Sequence, residues 1–153
     1  MNVINQVECR DDIIQVKLLN VEKNALFVAA IFKEISKMGV NIDMISQVML
    51  EDEMRIDFTC YQVDQEKLNR ALDNVKKNHQ RIMIYQSRNV AKLMVEGEGM
   101  KDEVGVAADI FELLGKHQIP MLQVTTSEIS ISYVIPREFM ELAREEIKKL
   151  YHI

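Results

Sequence analysis

Ala29-Ala30-Ile31-Phe32 and Ala108-Asp109-Ile110-Phe111 are two versions of one helical stretch. Each lies on an apolar stripe, and each runs into a strand-like segment, a hairpin and a second amphipathic helix. The chain therefore reads as a tandem of two small units. Around the first stretch, Val28, Ile31, Phe32, Ile35 and Met38 keep the three-and-four spacing of one buried face over a helix from about Ala25 to Met38. Asn24 stands at its N-cap, and Gly39 stands where a left-handed C-terminal cap belongs.

Working outward, Ile13 to Leu19 reads as the strand before this helix, with Asn20 to Asn24 as a loop. Val40 to Met49 reads as the strand after it. Leu50 to Glu53 is a turn, and Met54 to Tyr61 is the hairpin partner. There Met54, Ile56, Phe58 and Cys60 alternate with Arg55, Asp57, Thr59 and Tyr61, as in a sheet wet on one face. Asp64 is positioned to cap a second helix with Leu68, Ala71, Leu72 and Val75 inward, and Arg81 to Ser87 returns as a strand. The first unit is β-α-β-β-α-β.

The second unit opens with the strand Val90 to Glu96 and the loop Gly97 to Glu103, followed by a helix bearing Ala107, Ile110, Phe111 and Leu114. Ile119 to Thr126 and Ile129 to Ile135 are its next strands, the latter with Ile129, Ile131, Tyr133 and Ile135 on one face. Pro136 suits the first turn of a last helix carrying Phe139, Leu142, Ala143, Ile147 and Leu150. This unit lacks a closing strand, and Val3 to Cys9 is spare. A bare edge invites aggregation, so the N-terminal segment is expected to cross over and complete the second sheet. The domains are then 11–87, and 88–153 completed by 3–9. The alternative is a disordered tail.

Composition narrows the function. Of 153 residues, 48% are apolar and 28% charged, which fits a packed globular chain. A net charge of -5 without a Lys/Arg block argues against a sequence-independent nucleic-acid binder. Tyr61 and Tyr133 are the aromatics that base stacking on an open sheet face would use, and they lack a basic surround. No signal-peptide core or membrane span is read. Cys9 and Cys60 form no CxxC pair, so a reducing cytoplasm is expected. Ten methionines suit flexible core filling, with a Met-rich binding groove as the alternative. Gly97-Glu98-Gly99 lacks the Lys-Ser/Thr of a phosphate loop. His79, His117 and His152 are mutually isolated, so no metal site is read. No nucleophile arrangement is read either. No catalytic residue and no cofactor are expected.

Three segments resemble the regulatory end of aspartate kinase, a tandem of ACT domains. They are Gly105-Val106-Ala107-Ala108-Asp109-Ile110-Phe111, Thr126-Ser127-Glu128-Ile129-Ser130-Ile131-Ser132, and Val40-Asn41-Ile42-Asp43-Met44-Ile45-Ser46-Gln47. The resemblance implies an α+β fold of two ferredoxin-like βαββαβ units with antiparallel sheets and helices on one face, the first unit inserted in the second. It implies a free amino acid, lysine or threonine, bound between ACT domains of paired chains, with its carboxylate at a helix N-terminus. The effector residues are then Asn24, Ala25 and Leu26 at the first helix start, Val104 and Gly105 at the second, Asp43 and Gln47 on the first unit's strand, and Ser127 and Glu128 at the second unit's hairpin.

The sequence departs from the family where Lys23-Asn24-Ala25-Leu26 replaces Asp-Lys-Pro-Gly, removing an acidic residue and a glycine. Val104 replaces a proline, and Pro120 replaces an asparagine. No nucleotide domain is read ahead of these units. The expectation is a separate regulatory subunit or fragment, forming a homodimer through its ACT domains and serving a separate kinase subunit. The alternatives are a non-binding assembly subunit and a stand-alone ACT amino-acid sensor.

Overall fold

A computed structural model describes residues 3–153. The chain folds as two compact units: an inner one, Asp12–Arg88, and an outer one built from the N-terminal residues through Asp11 together with Asn89–Ile153.

After β1 (Gln6–Arg10) of the outer unit, the inner unit runs β2 (Ile13–Val21), α1 (Ala25–Lys37), β3 (Ile45–Met49), β4 (Met54–Tyr61), α2 (Gln65–Asn78) and β5 (Met83–Ser87). Its antiparallel sheet has the order β3-β4-β2-β5. Ile14, Val16 and Leu18 of β2 and Ile56, Phe58 and Cys60 of β4 point to one face and pack with Ile31 and Ile35 of α1 and Leu68, Ala71, Leu72 and Val75 of α2. Both helices therefore cover the same side, as the alternation in β4 requires. Asn24 caps α1, and Gly39 is left-handed at φ +82°. β2 is longer than its sequence suggests. Its register against β4 shifts between Leu18 and Val21, where Asn20 turns left-handed at φ +60°, and Val21 rejoins the sheet opposite Met54.

Two local expectations are corrected. Residues 40–44 are not strand: β3 begins at Ile45, and the chain before it is tied to β4 by the bonds Asp43 N to Thr59 O and Met44 N to Thr59 Oγ1. Asp64 does not cap α2. A 3-10 turn over Gln62–Asp64 leads into the helix, and the Asp64 carboxylate instead accepts from Asn41 N at 3.4 Å.

The outer unit consists of β1 (Gln6–Arg10), β6 (Val90–Glu96), α3 (Val106–Lys116), β7 (Gln123–Thr126), β8 (Ser130–Pro136) and α4 (Met140–Tyr151). Its sheet order is β1-β6-β8-β7. β1 pairs antiparallel with β6, placing Gln6 opposite Glu96 and Arg10 opposite Lys92, so the N-terminal segment completes this sheet. Ile4 extends the attachment: it is fully buried among Leu93, Val95, Ile110 and Ile147. Gly97 is where the chain must pass closest, because a Cβ there would collide with the Val3 carbonyl and the Ile4 backbone.

Pro136 ends β8 rather than opening α4, and a 3-10 turn at Arg137–Phe139 intervenes. Tyr133 is not on an open sheet face. It is fully buried, with the Phe111 ring edge-on at 5.7 Å.

Candidate functional site

The two helix starts that the tandem repeats are built differently. At α1 the extended backbone of Asn24 turns its side chain back over the first turn, where Oδ1 accepts from Leu26 N at 2.9 Å and Phe27 N at 3.2 Å. Two of the amides that an incoming carboxylate would seek are therefore held by the chain itself. Asn24 and Ala25 line a cleft of about 250 Å³ with Lys23, Val28, Gln47, Met49 and Met54. The structure thus brings Asn24, Ala25 and Gln47 together. Leu26 is not among the lining residues and is 82% exposed. Asp43, also exposed, lies before β3 and does not line the cleft. Met49 and Met54, not among the expected site residues, also line it.

At α3 the cap is Gly105, left-handed at φ +91°, and no side chain closes over the first turn. Asp109 N reaches back to Gly105 O at 2.9 Å, and the amides before it point away from the helix without a side-chain cap. A Cβ on Gly105 would meet nothing within 4 Å. The glycine is required here by its backbone angle and not by crowding. Val104 beside it is 99% exposed.

Ser127 shapes the β7–β8 turn. Its Oγ accepts from Ile129 N at 3.3 Å and Ser130 N at 3.1 Å, lies 2.8 Å from Ser130 Oγ, and its own amide donates to Ser130 O. Glu128 is exposed in that turn. Among the described residues no hydrogen bond or ion pair joins Ser127 or Glu128 to Val104 or Gly105.

The remaining reactive groups are structural. Cys60 is buried, and desolvation pushes its thiol up to about 12. Burial also raises the Cys9 thiol, against a hydrogen bond from Arg144. The His79 ring lies tilted at 58° against Phe27 with ring centroids 4.1 Å apart, and His117 meets Glu146 at 3.5 Å. Among the described residues no group of three potential ligands could hold a metal ion.

An antiparallel four-stranded sheet with two helices on one face, used twice, with one helix start capped by an Asn side chain and the other without a side-chain cap, defines a tandem of ferredoxin-like units. Residues 93–151 match the family model of the ACT domain. The chain is 32% identical over 140 residues to an aspartokinase of Helicobacter pylori, an alignment covering 91% of this chain and 34% of that protein. It is 26% identical over 151 residues to aspartokinase 2 of Bacillus subtilis, covering 99% of this chain and 37% of the relative. It thus spans about a third of the length of the curated relatives it matches.

Among solved structures, a chain in the crystal structure of aspartokinase alpha and beta subunits superimposes with a TM-score of 0.90 at 24% identity, over 98% of this chain and 99% of that one. The ligand-free regulatory subunit of aspartate kinase from Thermus thermophilus gives 0.88 at 22% identity, over 96% and 97%. These likenesses establish the fold over nearly the whole chain. Residues 93–151 are thus similar to the ACT domain, and nearly the whole chain is similar to part of the aspartokinases.

Proposed function

We propose that this chain is the amino-acid-responsive regulatory part of an aspartate kinase, acting in feedback control of aspartate-family amino-acid biosynthesis with lysine or threonine as effector. The observation that carries the reading is the uncapped start of α3 at Gly105, within a chain that follows the tandem ACT arrangement throughout. Free amides and the helix dipole converge there on any carboxylate that arrives.

The effector ammonium is assigned to Glu128. In this reading the carboxylate comes from a second copy, and the working unit is a homodimer through its ACT domains. A separate kinase subunit is the further partner; one of the similar structures is named for alpha and beta subunits. The site of action is the cytoplasm. No helix among the described residues is long and apolar enough to cross a membrane, and the net charge of -5 supports no nucleic-acid partner.

A second reading has its own support. Asn24 already occupies the amides of α1, which favours an assembly subunit that no longer binds an effector in its inner unit. A stand-alone sensor would bind the same ligands without a kinase. Calorimetry with lysine, threonine and the remaining amino acids separates binding from assembly. Glu128→Ala is expected to weaken binding by about 1.5 to 3 kcal/mol, the range for a hydrogen bond to a charged group. Wild-type affinity in that variant removes Glu128 from the site. No heat from any amino acid with the dimer intact establishes the assembly reading, and a monodisperse monomer in sedimentation at micromolar concentration overturns the dimer.

A further inference from the structure

The inner sheet ends at β5, which pairs with β2 on one side and leaves its other edge without a neighbouring strand. Such an edge presents a row of unpaired amides and carbonyls, and folds guard it with charges, proline or a covering element. β5 reads Met83-Ile84-Tyr85-Gln86-Ser87, with neither a charge nor a proline, and Met83 and Tyr85 are 45% and 53% exposed. β1, at the corresponding end of the outer sheet, carries Glu8 and Arg10. The edge at β5 is unguarded by comparison.

A groove of about 580 Å³ runs beside it, between β5 and α2. Polar staples fix the helix against the strand at both ends. At one end Gln86 Nε2 donates to Asn69 Oδ1 at 3.3 Å, and Gln65 Nε2 donates to Gln86 Oε1 at 2.9 Å. At the other, Lys76 Nζ donates to Gln80 O at 2.7 Å and to Ile82 O. Between the staples the buried Leu72 and the half-buried Ile84 supply apolar surface, and Asp73 lines the same slot. The groove is formed before any ligand arrives, which lowers the ordering cost of binding.

A row of free main-chain groups beside a formed groove is the arrangement by which a fold takes up an extended peptide as an added strand. Main-chain bonds then give affinity, and the groove reads alternate side chains. Charge decides which segment fits. Asp73 is exposed, and among the described residues its carboxylate makes no ion pair or hydrogen bond. Lys76, the cation that also lines the groove, is turned to the carbonyls of Gln80 and Ile82. The groove therefore offers an anion and fits a cation. A second copy pairing through its own β5 brings none, because that strand holds no Lys or Arg.

We propose that β5 and α2 bind an extended peptide segment of another protein, which adds a strand to the inner sheet, lays β-branched side chains on Leu72 and Ile84, and sets a Lys or Arg against Asp73. The surface includes neither helix start, so this proposal and the effector reading stand or fall separately.

The test is amide-shift titration of the isotopically labelled full chain with the peptide Val-Thr-Lys-Thr-Val, acetylated and amidated at its ends, at millimolar concentration. It is expected to shift the amides of Ile84, Tyr85 and Gln86 together with that of Asp73. The same peptide with Glu in place of Lys binds at least about fivefold more weakly, the difference between an attractive and a repulsive exposed charge pair. Asp73→Asn removes that difference. Of two forms of the peptide N-methylated at alternate residues, one loses binding and the other keeps it, because alternate amides of an added strand face β5. Absence of shifts in β5 overturns the proposal, as do equal affinities of the Lys and Glu peptides or binding that survives both methylation patterns. Shifts in β5 on concentrating the chain alone assign the edge to a second copy and overturn it as well.

Discussion

Gly97 lies directly against the backbone carbonyl of Val3, close enough that a methyl group on the glycine could not coexist with that oxygen. The contact is backbone to backbone, and a side-chain rotation cannot relieve it. Gly97→Ala is expected to push the N-terminal segment off β6 and to destabilise the outer unit by about 1 to 3 kcal/mol, the usual range for overpacking. Hydrogen exchange at Asn5, whose amide donates to Glu96 O at 3.0 Å, reports it. Unchanged protection there would mean that the segment shifts without loss.

Ile4 anchors the same segment from the other side. It is fully buried in the outer unit's core, so Ile4→Ala should cost about 2 to 5 kcal/mol. Removing residues 1–9 should go further, exposing protection in β8 to loss while α1 and α2 keep theirs. Amide exchange that leaves Ser130 to Ile135 as protected as in the intact chain would show that β1 contributes nothing to that sheet.

Asn24 caps the inner unit's first helix by taking up the amides of Leu26 and Phe27. Asn24→Gly keeps most of the cap's backbone geometry, costs a few tenths of a kcal/mol and frees the amides of Leu26 and Phe27. Titration with lysine or threonine should then shift those two amides in the variant alone. If they remain silent, the cap is not what closes this helix start.

Asp57 supplies a pH signature. It stands on β4 opposite Lys17 of β2 and Ser46 of β3. Burial raises its carboxyl above the usual range, against the pull of Lys17 and Arg55, and Oδ1 has no hydrogen-bond partner. A carboxyl whose folded value lies above its unfolded one destabilises the fold at higher pH, where it is ionised, and the penalty is relieved as pH falls through the raised value. Asp57→Asn should therefore raise Tm at neutral pH. The gain is under about 1 kcal/mol because solvent reaches the group, and it should shrink on acidification. A gain that is constant with pH would assign the effect to packing.

The elements with strong periodicity were legible in the sequence. Ile31 and Ile35, the alternating Met54 to Cys60, and the spare N-terminal strand all follow from burying one face of each sheet and giving β6 a second neighbour. What the sequence hid was set by contacts between distant segments. Asp64 looks like a cap, yet its carboxylate is drawn to Asn41. Gly97 looks like a loop glycine until Val3 is laid against it. Tyr133 alternates correctly with Ile131 and Ile135, but only the position of Phe111 places its ring in the core. At the candidate site, Asn24 was legible as a cap. That its side chain holds two first-turn amides at once became visible only in the hydrogen bonds to Leu26 and Phe27.

The pairing of β2 with β5 also bears on how the chain is assembled during synthesis. Arg10 leaves the ribosome several seconds before its partner Lys92, and a loop as long as the whole inner unit must close to bring them together. Once the inner unit has folded, however, Gln15 sits opposite Ser87 on neighbouring strands, so the entering and departing chain already lie side by side. The entropy of closure has then been absorbed by the first folding event, and the second begins from a tether of a few residues. The nesting thereby shortens the second closure to the few residues that flank the inner unit's paired ends.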